Sequence, residues 1–328
     1  MIGERIEKSS EKVACLRNGA TQMRIFFGLM FGLMIADFSA IAQDAPQHSV
    51  FIAGPTFTGI LDEDGKEVWN AGRAGARDGC VLENGNVLIC WMDEVRELTR
   101  DKKETVFHYK LSKENQELGT AQRLADGKTL ITELGATPLL LEVDPDGTVS
   151  RRVPLQPETD NAHMQTRMAR KLANGNYLVP HLLAFKVKEY DPEGKVVREF
   201  KTDLEELGGR AAENWPFTAI RLANGNTLVN LTHGNKTVEL DREGKVVWKA
   251  SNDDVAEKPF DDPCGAQRLP NGNTVITSYH AKAEQGVIKI FELTPEKKIV
   301  WRYSGPHPAH EFQVLTTNGQ PVEGVPLR

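Results

Sequence analysis

Short apolar runs such as Val87–Cys90, Leu228–Leu231 and Val275–Thr277 are divided by Asn-Gly, Asp-Gly or Asp-x-x-Gly through most of the chain. Runs of this length bounded by such turn residues read as strands joined in hairpins. One hairpin recurs five times: "LENGNVLIC" (82–90), "LADGKTLIT" (124–132), "LANGNYLVP" (172–180), "LANGNTLVN" (222–230) and "LPNGNTVIT" (269–277). Asn-Gly at the centre predicts a tight turn with positive-φ residues.

A second hairpin is interleaved with the first. It reads "ILDEDGKEVW" (60–69), "ELTRDKKETV" (97–106), "EVDPDGTVSR" (142–151), "EYDPEGKVVR" (189–198), "ELDREGKVVW" (239–248) and "ELTPEKKIVW" (292–301). Six second hairpins thus accompany five first ones. The missing unit is divided between the ends: "EFQVLTTNGQ" (311–320) reads as an inner strand with its turn, and "SVFIAG" (49–54) as the strand that returns. Four strands in each repeat of about 45 residues, with complementary half-units at the termini, predict an all-β fold, a six-bladed β-propeller closed by a shared blade. An open solenoid would instead carry capping ends.

The repeat "NGNTLV … D-x-x-GKVVW" resembles that of bacterial quinoprotein-like propellers and of arylsulfotransferase-type propellers. The first resemblance implies a quinone cofactor. However, the chain has no adjacent paired cysteines to cover a quinone, and Leu61 and Leu240 replace the usual Ala of that repeat. The second implies sulfuryl transfer between phenols through a histidine, though the large extra N-terminal domain of that family is absent from this sequence.

Comparing the repeats with one another separates scaffold from site. The Glu that opens the second hairpin (Glu97, Glu142, Glu189, Glu239, Glu292) and the Trp that closes it (Trp69, Trp248, Trp301) recur, so both read as architecture. The regular turns share one face, here the bottom, and the irregular connections share the top. Six histidines map to the top: His163, His307 and His310 precede inner strands, and His181, His233 and His280 follow second strands. His163, His310, His233 and His280 are the candidate catalytic residues, with His181, Trp215 and Gln313 as candidate ligand contacts. Neutral imidazoles converging on one point are also transition-metal ligands, so the same four histidines are the candidate metal set. Connections 154–167, 201–217 and 251–264 are the longest, and they predict a thick pocket wall on one side of the top face.

Charge and composition narrow the partners. A net charge of −6 with no basic stripe argues against nucleic acid. A small organic or saccharide ligand fits a propeller mouth, and a protein partner stays open. "MRIFFGLMFGLMIADFSAIAQ" from Met23 carries one Arg, a short apolar core and Ala40-Ile41-Ala42, the pattern of a cleaved export signal. The apolar run is shorter than the ~20 residues of a membrane span. Residues 1–42 are therefore expected to be a presequence, with Met23 the true start and cleavage after Ala42. Residues 43–328 would form the propeller, periplasmic or secreted. With Asn84-Gly85 as a two-residue turn, Cys80 and Cys90 are expected on opposite faces of their hairpin, too far apart to bridge.

Overall fold

The computed structural model describes residues 45–328 apart from 282, 283, 285 and 325. The expected presequence lies outside the described residues. No helix among them is long and apolar enough to cross a membrane.

Six antiparallel sheets follow one another around a ring. Blade 1 is built from both ends of the chain: Glu311–Thr317 is its inner strand, followed outward by His48–Ala53, Thr58–Leu61 and Glu67–Asn70. Blades 2 to 6 begin with inner strands Asp78–Val81, Asn115–Arg123, Arg170–Lys171, Pro216–Arg221 and Ala266–Arg268. The closing pair is long, with His48 opposite Thr317 and Ala53 opposite Glu311. A short fifth strand, Gln320–Pro321, adds to the inner edge of blade 1.

The hairpin turn differs from expectation. In blade 2 Val81 faces Val87, the Leu82 N–H donates to Asn86 O, and the Gly85 N–H donates to Leu82 O. Three residues therefore make the turn, and only Gly85 takes a positive φ, +83°. Asn84 serves through its side chain, whose Oδ1 accepts the Asn86 N–H at 3.0 Å. This one-residue change moves the register: Cys80 faces Leu88, and Cys90 faces Asp78. Because side chains alternate along a strand, Cys80 and Cys90 lie on the same face rather than on opposite ones. Both are buried in one apolar cluster as free thiols.

The apolar core is divided into layers between neighbouring blades. Cys80, Leu88 and Val95 of blade 2 pack with Leu118, Ile131 and Leu141 of blade 3. Tyr177 and Val179 of blade 4 meet Leu130 and Leu140 of blade 3. Each such side chain, fully buried, contributes roughly 1.5–3 kcal/mol.

Between these layers the repeated Glu forms a polar latch. Glu239 accepts from Asn226 of its own blade at 2.7 Å and from Arg268 of the next blade at 3.1 Å. Glu189 does the same with Asn176 and Arg221, and Glu97 with Asn86 and Arg123. At the ring closure, Glu292 takes Asn273 and His48. The repeated Trp is also shared between blades: Trp69 Nε1 donates to Arg100 O, and Trp248 Nε1 to Pro295 O.

Candidate functional site

The long connections do gather on one side of the top face. Residues 154–167 carry a short 3-10 helix, Ala162–Met164, whose His163 N–H is capped by Asn161 Oδ1. Two further 3-10 turns, Glu205–Leu207 and Arg210–Ala212, lead to Trp215. With the connection that carries Asp262, they wall a cavity of about 430 Å³ over the central channel.

Met92, Met164, Leu182, Trp215, Phe217 and Tyr279 supply its apolar lining. His163, His310, His233 and His280 also line it, from four separate connections. Trp215 lines it too, stacked on the His233 ring with centroids 4.0 Å apart. His181 and Gln313 lie elsewhere. The His181 ring is buried inside blade 4, with Nε2 3.0 Å from the Tyr190 hydroxyl. Gln313 accepts the Val81 N–H at 2.8 Å and so ties blade 1 to blade 2. Gln122 and Gln267 do the same for the blades that follow them, a recurrence that marks Gln313 as scaffold. His307 stacks on Phe57 away from the cavity.

The four cavity histidines form two pairs. On one side the Asp262 carboxylate is fixed by the Thr232 hydroxyl and the His233 N–H, both at 2.6 Å. Its second oxygen lies 3.0 Å from His280 Nδ1 and 3.9 Å from His233 Nε2. The Asp262 carboxylate thus faces both imidazoles and lies closer to His280.

On the other side His310 Nδ1 is 3.0 Å from Arg77 O, a carbonyl that likewise only accepts. Loss of solvent around the ring pushes the His310 pKa down to about 3, so the ring is neutral and its Nε2 is an acceptor. His163 Nδ1 lies between a donor and an acceptor, 3.0 Å from Arg77 Nη2 and 3.3 Å from Glu117 Oε2.

Sequence reasoning missed the cavity floor. Arg77 and Arg167 are both buried, and they share one carboxylate: Glu117 pairs with Arg77 at 3.1 Å and approaches Arg167 to 3.5 Å. Two guanidinium groups over one carboxylate leave one positive charge in excess. Burial, with the charge of Arg77 next, pushes Arg167 down to about 9. For Glu117, burial acts upward, but the His163 hydrogen bond and the two arginines outweigh it and hold the carboxyl below its usual range. A signal did exist for the arginines: Arg77 and Arg167 hold the position before the hairpin Leu82 and Leu172 where other blades carry Phe217 or Cys264. Cys264 itself is buried, which raises its thiol well above the ordinary value and keeps it protonated.

The arrangement does not fit the expected metal. Among the described residues no group of three or more His, Cys, Asp or Glu side chains is placed to hold an ion. The histidines divide into pairs rather than meeting at one point, and the buried arginines make the floor cationic.

Six blades around a channel, with one polar-floored aromatic cavity at the mouth, define the class: a β-propeller with a single-sided top-face pocket. Within that class the chain belongs to the Mal s 1 allergenic protein-like family, which it matches over residues 37–269. No curated protein matches it in sequence. A protein of unknown function from Bacteroides caccae has a similar structure, with TM-score 0.69 and 21% identity over 85% of this chain and 100% of its own. Virginiamycin B lyase from Staphylococcus aureus is similar at TM-score 0.52 and 15% identity, covering 72% of this chain and 73% of that one; it is known in a catalytically inactive His-to-Ala form with quinupristin. A luciferin-regenerating enzyme matches at TM-score 0.52 and 13% identity, over 72% and 83%. These likenesses concern the fold.

Proposed function

We propose that the top-face cavity binds a small organic anion, such as a sugar acid, and acts on it by proton transfer. The observation that carries this reading is the floor, where two buried arginines share Glu117 beneath aromatic and thioether walls. An anionic group at the floor balances the excess charge, and charge-assisted hydrogen bonds in a site of low polarity are the strong ones. Trp215 and Phe217 offer faces to a ring or chain above it.

His280, whose Nδ1 lies 3.0 Å from Asp262, is the general base of this reading and takes the proton on Nε2. His310 Nε2 accepts a hydrogen bond from the ligand. Proton abstraction next to a carboxylate is the chemistry that suits a base facing a cationic floor, since the floor stabilises the charge that develops. Sulfuryl transfer between phenols, the activity that the arylsulfotransferase resemblance implies, would use a free histidine Nε2 as nucleophile and is tested by the aryl sulfates below. A lyase and a regenerating enzyme among propellers of similar fold are compatible with this reading without defining the substrate. We take the protein to be exported to the periplasm or beyond, from the presequence at Met23; fractionation of cells expressing the full chain tests that part.

The binding test is thermal shift over a panel of uronic acids, aromatic carboxylates and aryl sulfates, followed by assays of any ligand that stabilises. Wild type should gain stability with at least one acid, and His310→Gln and Trp215→Ala should lose that gain. For a turned-over ligand, His280→Ala should lower kcat by ~10²–10⁴-fold with binding retained. A stabilising ligand that is never turned over would make the pocket a binding site without catalysis. No shift with any anion would sink the reading.

A further inference from the structure

The opposite face carries a second cavity, of about 650 Å³, between the inner hairpins of blades 4 and 5 and the C-terminal residues Pro326–Arg328. Its lining holds six cationic side chains and one carboxylate, Glu189. Four of the six are already paired. Arg170 and Arg328 share Asp78, Lys171 reaches Glu142, and Arg221 meets Glu189 at 3.1 Å. Arg198 and Arg242 have no ion pair among the described residues.

Both groups are exposed and lie against packed neighbours. Arg198 lies over one part of the Phe200 ring, 5.9 Å from its centroid, and Arg221 lies 5.5 Å from the same centroid. Arg242 lies against the Gly225 turn so closely that a Cβ on Gly225 would come within 2.4 Å of its Nε. Arg221 donates to the carbonyl of that same Gly225 at 3.1 Å, so three guanidinium groups are packed around one turn and one ring. The buried Nε of Arg221 has no hydrogen-bond partner. Burial lowers the Arg221 pKa, and the charges of Arg198 and Arg242 lower it further against the opposing pull of Glu189. Like charges gathered in one recess cost free energy unless an anion enters.

We propose that this bottom-face recess is a binding site for a phosphate monoester or diphosphate group of a small soluble molecule, held by Arg198 and Arg242 at the side of Arg221. The surplus of positive charge in the recess suits a group carrying close to two negative charges. Planar guanidinium forks bind tetrahedral oxyanions through paired N–H donors, which lysine cannot reproduce. The recess lies on the face away from the cavity discussed above, and it stands whether or not that cavity is catalytic.

The test is isothermal titration of the full chain with inorganic pyrophosphate, then with inorganic phosphate and sulfate, at low and moderate salt. Saturable binding at one site is expected, tighter for pyrophosphate than for sulfate and weakening with salt. The exposed double variant Arg198→Ala Arg242→Ala should bind at least ten-fold more weakly with an unchanged thermal midpoint. Arg198→Lys Arg242→Lys, which keeps the charge, should fall between the two. Absence of saturable pyrophosphate binding in wild type overturns the proposal. So does equal binding by the Ala variant, which would move the anion to the Arg77 and Arg167 floor. Binding only to vesicles containing phosphatidic acid, and not to soluble phosphates, would overturn the small-molecule assignment.

Discussion

Among single residues, Glu311 carries the sharpest electrostatic consequence. It is fully buried in the channel beside Asp78, which Arg170 and Arg328 hold ionised. Burial first, and the Asp78 charge second, raise the Glu311 pKa to about 7. Its Oε2 has no hydrogen-bond partner. The folded protein therefore keeps a proton on Glu311 at pH values where the unfolded chain has released it. Stability from this group is complete below about pH 4.5 and is lost as pH rises toward about 7, a change on the order of 3 kcal/mol. Glu311→Gln should match wild type in urea unfolding near pH 5 and exceed it near pH 8. Equal stability of the two proteins at both pH values would show that Glu311 titrates normally. The turns make a second residue-level point. Lys102 and Lys297 occupy the place that Gly holds in the other outer hairpins, and they take φ values of +59° and +66°. The turn geometry thus persists where the residue is unfavourable, because the flanking strand pairing imposes it.

For the blade as an element, the latch explains why Glu recurs. Its carboxylate satisfies the turn Asn of its own blade and the cation of the next, so one side chain fixes both a hairpin and an interface. Glu239→Ala leaves Arg268 and Asn226 short of their acceptor and should cost ~2 kcal/mol. Glu243→Ala, at an exposed turn of the same hairpin, should stay within ~0.5 kcal/mol. Equal effects in denaturant titrations would remove the latch from the structural argument. The recurrence of Glu was readable from sequence, and so was its scaffold character. Its partners were not, since they come from a neighbouring repeat whose register had to be known first. Gln313 illustrates the converse: next to His310 in sequence, it turns into an inter-blade tie because the inner strand carries it down the channel, away from the mouth.

On the scale of the whole molecule, closure is the feature on which the rest depends. Pairing of His48–Ala53 with Glu311–Thr317 leaves no blade without a neighbour on either side. Removing residues 311–328 exposes the unpaired edge of His48–Ala53 and the apolar layer around Phe312 and Val314. The truncated chain should associate in analytical ultracentrifugation and lose its single cooperative unfolding transition. A monomer that unfolds as sharply as the full chain would mean that the ring does not need this strand. Closure also seats Arg328 in the channel and Glu311 beside Asp78.

The sequence by itself determined the four-stranded repeat, its six-fold recurrence and the shared blade. Each of these depends on local turn chemistry, on the spacing of apolar runs, or on complementary chain ends, all of which are written along the chain. The tertiary structure alone decided which histidines meet. It drew His163 and His310 to the Arg77 side, joined His233 and His280 through Asp262, and left His181 inside a blade. It also placed Arg77, Glu117 and Arg167 on one floor, and Arg198 and Arg242 in one recess. Those groupings depend on contacts between repeats separated by tens of residues, set by blade twist and by a register that a one-residue difference in turn length was enough to move.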